Sequence, residues 1–173
     1  MSTLFPVDLV ARAERFLDQA RRAWLHVATA ESCTGGLVAG LLTEIAGSSD
    51  VVDRGFVTYS NEAKAEMLGV PLDLIRRHGA VSPEVARAMA EGALSRSAAD
   101  LAVAVTGIAV PGGATPTKPV GLVEFSCARR GGHTTPMTKH FGESDRARIR
   151  LLAVETALDL LEEALGPPAG TPR

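Results

Sequence analysis

Four polar stretches of this chain carry the side chains that could do chemistry. The first, Glu31-Ser32-Cys33-Thr34-Gly35-Gly36, sets an acid, two hydroxyls and a thiol ahead of two glycines. The second, "AGSSDVVDRG", contains Ser48 and Ser49. The third, "TYSNEAK", brings Tyr59, Ser60, Asn61 and Lys64 within six residues. The fourth, "TGIAVPGGATPTKPVG", runs from Thr106 to Gly121 and is longer than most connections, as functional loops often are. A hydroxyl attacks a carbonyl only when a base removes its proton, and a lysine can be that base if its pKa falls from about 10.4 towards 7–8. Each stretch also has a plainer reading. Ser48 and Ser49 could cap the turn after Gly47, Lys64 could be an ordinary solvated charge, and the long loop could be a simple crossover.

Histidine and metal chemistry find less support. His26 is expected in a buried strand, His78 at a helix end where a cation suits the dipole, His133 in a hairpin turn and His140 within a strand. No histidine has an evident acid partner, and no pair of histidines or cysteines has metal-ligand spacing, so no metal is expected. Cys33 and Cys127 sit on different elements and read as reduced thiols of a cytoplasmic protein. A rival chemistry places Cys33 as a thiolate nucleophile at a helix start.

These residues need a scaffold. Residues 6–23 repeat apolar positions (Val7, Leu9, Val10, Ala13, Phe16, Leu17, Ala20) at helical period. A strand is expected over 24–30, then the Glu31–Gly36 loop, whose N–H groups and helix end suit anions and carboxamides, then an apolar helix over 37–46 stopped by Gly47. "RGFVTYS" reads as a strand, "NEAKAEMLG" and "VPLDLIRRHG" as short helices, and Ser82-Pro83 opens a longer one. "DLAVAVTG" has the composition of a central strand. "VGLVEFSCA" and "PMTKHF" form a hairpin, and Asp145 to Leu165 is a final helix directing Ile149, Leu152, Ala153, Leu158 and Leu161 inward. The pattern predicts a single α/β domain over 1–165, a three-layer α/β/α arrangement on a mixed, mostly parallel sheet, with 166–173 as a flexible tail. A formal charge of −2 without a basic stripe argues against nucleic acid as partner, and no apolar run is long enough to span a bilayer.

The stretches "TAESCTGGLVAGLLTEIAGSSDVVDRGFVTYSNEAKAEMLGV", "HGAVSPEVARAMAEGAL" and "AVTGIAVPGGATPTKPVG" together resemble the CinA C-terminal-domain family from about residue 6 to 165. Stand-alone members of that family are nicotinamide-nucleotide amidases, and the chain resembles that type, having no room for the additional N-terminal domain of other members. The resemblance implies hydrolysis of nicotinamide mononucleotide to nicotinic acid mononucleotide and ammonia in pyridine nucleotide recycling, without metal or cofactor. It puts the catalytic serine on Ser49, with Lys64 taking its proton and Tyr59 relaying a proton or orienting the lysine. Glu31, Ser32, Thr34, Gly35 and Gly36 would contact substrate, with Asn61, Thr106 and Gly107 in the same pocket and Arg146 as a phosphate ligand. The expected partner is thus a small nucleotide, and the expected assembly a homo-oligomer, most simply a dimer. Two departures mark the chain: Val110 where the family has glycine in "GIAGPGG", and Ser144 in "HFGESDR". They favour a second rival, a nucleotide-binding or regulatory protein with little turnover.

Overall fold

In helix α1, Val7–Arg22, the spacing of Leu9, Ala13, Phe16, Leu17 and Ala20 puts all five on the buried face, while Arg21 and Arg22 complement the carbonyl end. Strand β1 follows as Val27–Glu31, later than the expected start at residue 24. The reason is the helix end. Ala23, Trp24 and Leu25 give their N–H groups to Gln19, Arg21 and Ala20, and Trp24 turns the chain at φ 58° with its indole 87% exposed. His26 consequently lies outside the strand and half exposed, not buried.

The computed structural model describes residues 3–166, so apart from Gly166 the expected tail lies outside the described residues. After β1 come α2 (Leu37–Thr43), β2 (Val52–Val57), α3 (Asn61–Leu68), α4 (Leu72–His78), α5 (Pro83–Ser95), β3 (Leu101–Gly107), β4 (Leu122–Arg129), β5 (Thr134–His140) and α6 (Arg146–Leu165). They build a five-stranded mixed sheet in the order β2-β1-β3-β4-β5, parallel through β2, β1 and β3 and antiparallel through β3, β4 and β5. Helix α2 stops three residues short of the expected 46, and β2 begins and ends earlier than "RGFVTYS", leaving Thr58 to Ser60 as loop.

Alternation along β3 separates the two helical layers. Leu101, Val103 and Val105 join the core with α1, α2 and α6, whereas Ala102 and Ala104 meet α5. That second layer is close-packed because its residues are small. Ala86, Ala90 and Ala93 line α5, and a Cβ added at Gly92 would stand 2.1 Å from the Leu68 carbonyl oxygen of α3.

The end of β1 is held by its own last side chain. Glu31 is fully buried; its Oε2 accepts from the N–H groups of Gly36 and Val38, both at 3.0 Å, and its Oε1 from Ala39 at 2.9 Å. The carboxylate satisfies the donors that open α2, and Gly35 (φ 59°) and Gly36 (φ 97°) bend the chain around it.

Two stability changes are expected. Gly92→Ala should force α3 and α5 apart and cost about 1–3 kcal/mol in denaturant unfolding. Glu31→Gln places an amide NH₂ against backbone donors and should cost at least about 2 kcal/mol by the same measurement.

Candidate active site

β1 is flanked by β2 on one side and β3 on the other, so the loops leaving the carboxyl ends of β1 and β3 diverge and leave a crevice between them. A cleft of about 240 Å³ occupies that position. Ser32 and Cys33 enter it after β1, Tyr59 after β2, Lys64 from α3, Thr106 to Val110 from the end of β3, and Arg146 from the start of α6. Ala80 and Val81, from the α4–α5 connection, form a further wall.

Ser32 and Lys64 make the central contact. Adjacent strand residues point to opposite faces, so Glu31 turns to α2 while Ser32 turns to the α3 side. Ser60 caps α3 by accepting from the Ala63 N–H at 3.0 Å, which fixes where that helix begins. Lys64, in its first turn, reaches back into the cleft and is 1% exposed. Its Nζ donates to the Thr58 carbonyl at 2.8 Å and to Ser32 Oγ at 3.1 Å, and among the described residues no carboxylate pairs with it. Burial without a counter-ion pushes its pKa down to about 8, opposed slightly by Cys33. A buried lysine with a lowered pKa, in hydrogen-bond contact with a serine hydroxyl, has the arrangement that general-base activation of a nucleophile requires.

The remaining expected residues fall into distinct places. Tyr59, 62% exposed, lines the cleft, but its hydroxyl accepts from Arg146 Nη2 at 3.0 Å and not from Lys64. Thr106 and Gly107 both line the cleft; Thr106 donates to the Ala80 carbonyl at 2.9 Å and so holds the wall, and a Cβ at Gly107 would strike Val123 at 2.7 Å. Glu31 has no free carboxylate for a ligand, since α2 engages it. Nor is the helix end open to an anion. Gly35 and Gly36 give their N–H groups to the Ser32 carbonyl and to Glu31, and neither lines the cleft. Thr34 is fully buried away from the cleft, and Asn61 is exposed outside it.

Ser49 lies elsewhere. Ser48 to Asp50 form a short 3₁₀ turn between α2 and β2, beside the beginning of β1, where Val27 donates to Val51 O at 2.8 Å. Because β1 and β2 are parallel, α2 carries the chain back to the amino ends of the strands before β2 starts. Five or six strand residues at about 3.3 Å each put roughly 15–20 Å between Ser49 and the Lys64 end of the sheet. Within one chain the structure brings Ser32, not Ser49, to the lysine.

Cys33 lines the cleft, yet burial pushes its thiol up to about 12, leaving little thiolate at neutral pH. Val110 sits at φ −145°, extended backbone that any residue adopts, so the departure from glycine carries no strain. Ser144 is exposed just before α6, whose cap Asp145 accepts from the Arg148 N–H at 2.9 Å.

Two positioning residues had no signal in the sequence. Arg150 of α6 donates from Nε to the Cys33 carbonyl and from Nη2 to the Thr34 carbonyl, both at 3.0 Å, pinning the turn that carries Ser32. Lys118 ties the long loop to the carbonyls of His78 and Val81, next to the cleft wall. Among the described residues no cluster of three His, Cys, Asp or Glu is placed to hold a metal, and no helix is long and apolar enough to cross a membrane.

Known proteins share this architecture. The CinA C-terminal domain matches residues 10–165. A "CinA-like protein" of Akkermansia muciniphila is 54% identical over 141 residues, 81% of this chain and 34% of that protein. Another from Citrifermentans bemidjiense is 47% identical over 169 residues, 98% of this chain and 40% of that protein, so the chain spans well under half the length of these relatives. The crystal structure of the competence/damage inducible protein CihA from Agrobacterium tumefaciens superposes with a TM-score of 0.92 at 52% identity, covering 96% of this chain and all of that one. With this fold, this coverage and this identity, the chain belongs to the CinA C-terminal domain family.

Proposed function

We propose that the chain is an amidohydrolase that converts nicotinamide mononucleotide to nicotinic acid mononucleotide and ammonia, with Ser32 as nucleophile and Lys64 as base. The observation that carries this reading is the 3.1 Å contact between Ser32 Oγ and the Nζ of a lysine that is almost wholly buried and has no counter-ion. Ser32 stands where a strand turns into a helix, the placement that exposes the nucleophile in many hydrolases with a central sheet. The choice of substrate rests on the sequence resemblance and on the cleft itself. Apolar Ile108 and Ala109 line it, and Arg146, exposed beside it, can take a phosphate as a planar donor pair.

In the reaction, neutral Lys64 accepts the Ser32 proton as Oγ bonds to the carboxamide carbon, giving a tetrahedral intermediate. The resulting ammonium passes its proton to the departing nitrogen, the C–N bond breaks, and ammonia leaves an acyl-serine. Water, deprotonated by the same amine, then hydrolyses the ester and restores the serine. No step needs a metal or an organic cofactor. Thr58 O holds Nζ in place in both protonation states, and the Arg146–Tyr59 pair sits beside the cleft to hold the nucleotide.

Ammonia release from nicotinamide mononucleotide tests the assignment. Ser32→Ala should lose at least about three orders of magnitude in kcat while melting normally, and Ser49→Ala should stay near wild type. The reverse outcome would return the nucleophile to Ser49 and require a second copy of the chain to deliver it to Lys64. No ammonia from the wild type would sink the amidase reading as a whole.

The pH dependence follows from the lysine. With a pKa of about 8, roughly a tenth of Lys64 is neutral at pH 7, so kcat/KM should rise through pH 8 and level off above it. Lys64→Arg keeps the charge but cannot deprotonate in that range, and should be as inactive as Lys64→Ala. A flat profile, or an active arginine variant, would make the residue a charge donor only.

A further inference from the structure

The turn that carries Ser32 leaves the backbone N–H groups of Cys33 and Thr34 without an oxygen acceptor among the described residues, and of these two residues Cys33 lines the cleft. Three of the turn's carbonyls are engaged: Ser32 O by the Gly35 N–H, Cys33 O by Arg150 Nε, and Thr34 O by Arg150 Nη2 and the Leu37 N–H. Most of its N–H groups are engaged too. Ser32 donates to Val105 O at 2.9 Å, Gly35 to Ser32 O, Leu37 to Thr34 O, and Gly36, Val38 and Ala39 to Glu31. Of the turn residues that line the cleft, only Cys33 keeps an N–H without an oxygen acceptor among the described residues, its one contact being its own sulfur, a weak acceptor. Across the cleft the same is true of Ala109. Ile108 on one side of it donates to Leu122 O, while the Ala109 N–H meets no acceptor, although the residue is 5% exposed.

A backbone N–H without a protein partner is rare away from solvent, and beside a cleft it is placed to donate to whatever acceptor the cleft holds. The residue after a nucleophilic serine is bonded to it, so its N–H necessarily lies beside the atom under attack, and hydrolases use that group to hold the oxyanion. We propose that the Cys33 N–H, assisted by the Ala109 N–H from the facing loop, is the oxyanion-binding site that accepts the carboxamide oxygen as it becomes negatively charged. This rests on Ser32 being the nucleophile. Arg150 is then a positioning residue. It holds the Cys33 and Thr34 carbonyls toward α6, and so fixes the orientation of the peptide plane ahead of them.

The proposal is tested by deleting the donor. An α-hydroxy acid placed at position 33 makes the Ser32–33 linkage an ester and removes only the N–H; lactic acid at 33 is compared with the peptide variant Cys33→Ala. Turnover of nicotinamide mononucleotide should fall by about 10²–10³ in kcat with KM nearly unchanged. An ester protein that melts like Cys33→Ala and keeps its kcat within a few fold would overturn the proposal. If the ester protein does not fold, the amide proton of Cys33 decides, followed by NMR in the wild type with the ribonucleotide of 3-pyridinecarboxaldehyde. The hemiacetal oxygen formed on Ser32 should move that proton strongly downfield, and an adduct that leaves it in place overturns the assignment. The two readings fail differently. A wild type that releases no ammonia and forms no adduct removes the amidase itself, whereas an active enzyme indifferent to the N–H removes only the oxyanion site.

Discussion

The carboxylate of Glu31, closed in by the first N–H groups of α2, is the constraint on which the site depends. A charged side chain at the end of a central strand is tolerable in the interior because those donors stand in for water. Its consequence is geometric. The chain must double back within a few residues, through two glycines with positive φ, so that the helix start meets the strand's last side chain. Strand alternation then turns Ser32 to the other face. One pair of neighbours thereby separates the group that holds the fold from the group that would react.

On that other face, Lys64 has the opposite character. It has hydrogen bonds but no counter-ion among the described residues, so its burial favours the neutral amine, whereas the Glu31 carboxylate accepts three backbone N–H groups. The Ser60 cap, the Thr58 carbonyl and the close α3–α5 contact at Gly92 all constrain where Nζ can be. Around this pair the supports are main-chain hydrogen bonds from long cationic side chains. Arg150 grips the Ser32 turn and Lys118 grips the α4–α5 connection, so the walls belong to different layers yet are tied to the same cleft. Arg146 and Tyr59, more exposed, are hydrogen-bonded to each other beside the cleft.

By itself the sequence determined the layers, the order of elements and the residues of the site's inner wall. The β-branched and small residues of "LAVAV", the Ser82-Pro83 start and the glycine stops are local signals, and local signals survive into the fold. The polar loops marked Lys64, Tyr59 and Thr106, and the family resemblance added Gly107 and Arg146; all five line the cleft. What only the tertiary structure decided was which hydroxyl meets the lysine and which polar groups are already spent. Ser32 and Ser49 are both serines in polar turns, but one follows a strand and the other precedes one, and parallel pairing sends those two turns to opposite ends of the sheet. Glu31, Gly35 and Gly36 looked free in the sequence, yet their hydrogen-bonding capacity is taken within the turn. Arg150 and Lys118 act on main-chain carbonyls 117 and 37 residues away in the chain. Such long-range pairings leave no periodicity in a sequence, because they depend on how helices dock and not on any repeat within them.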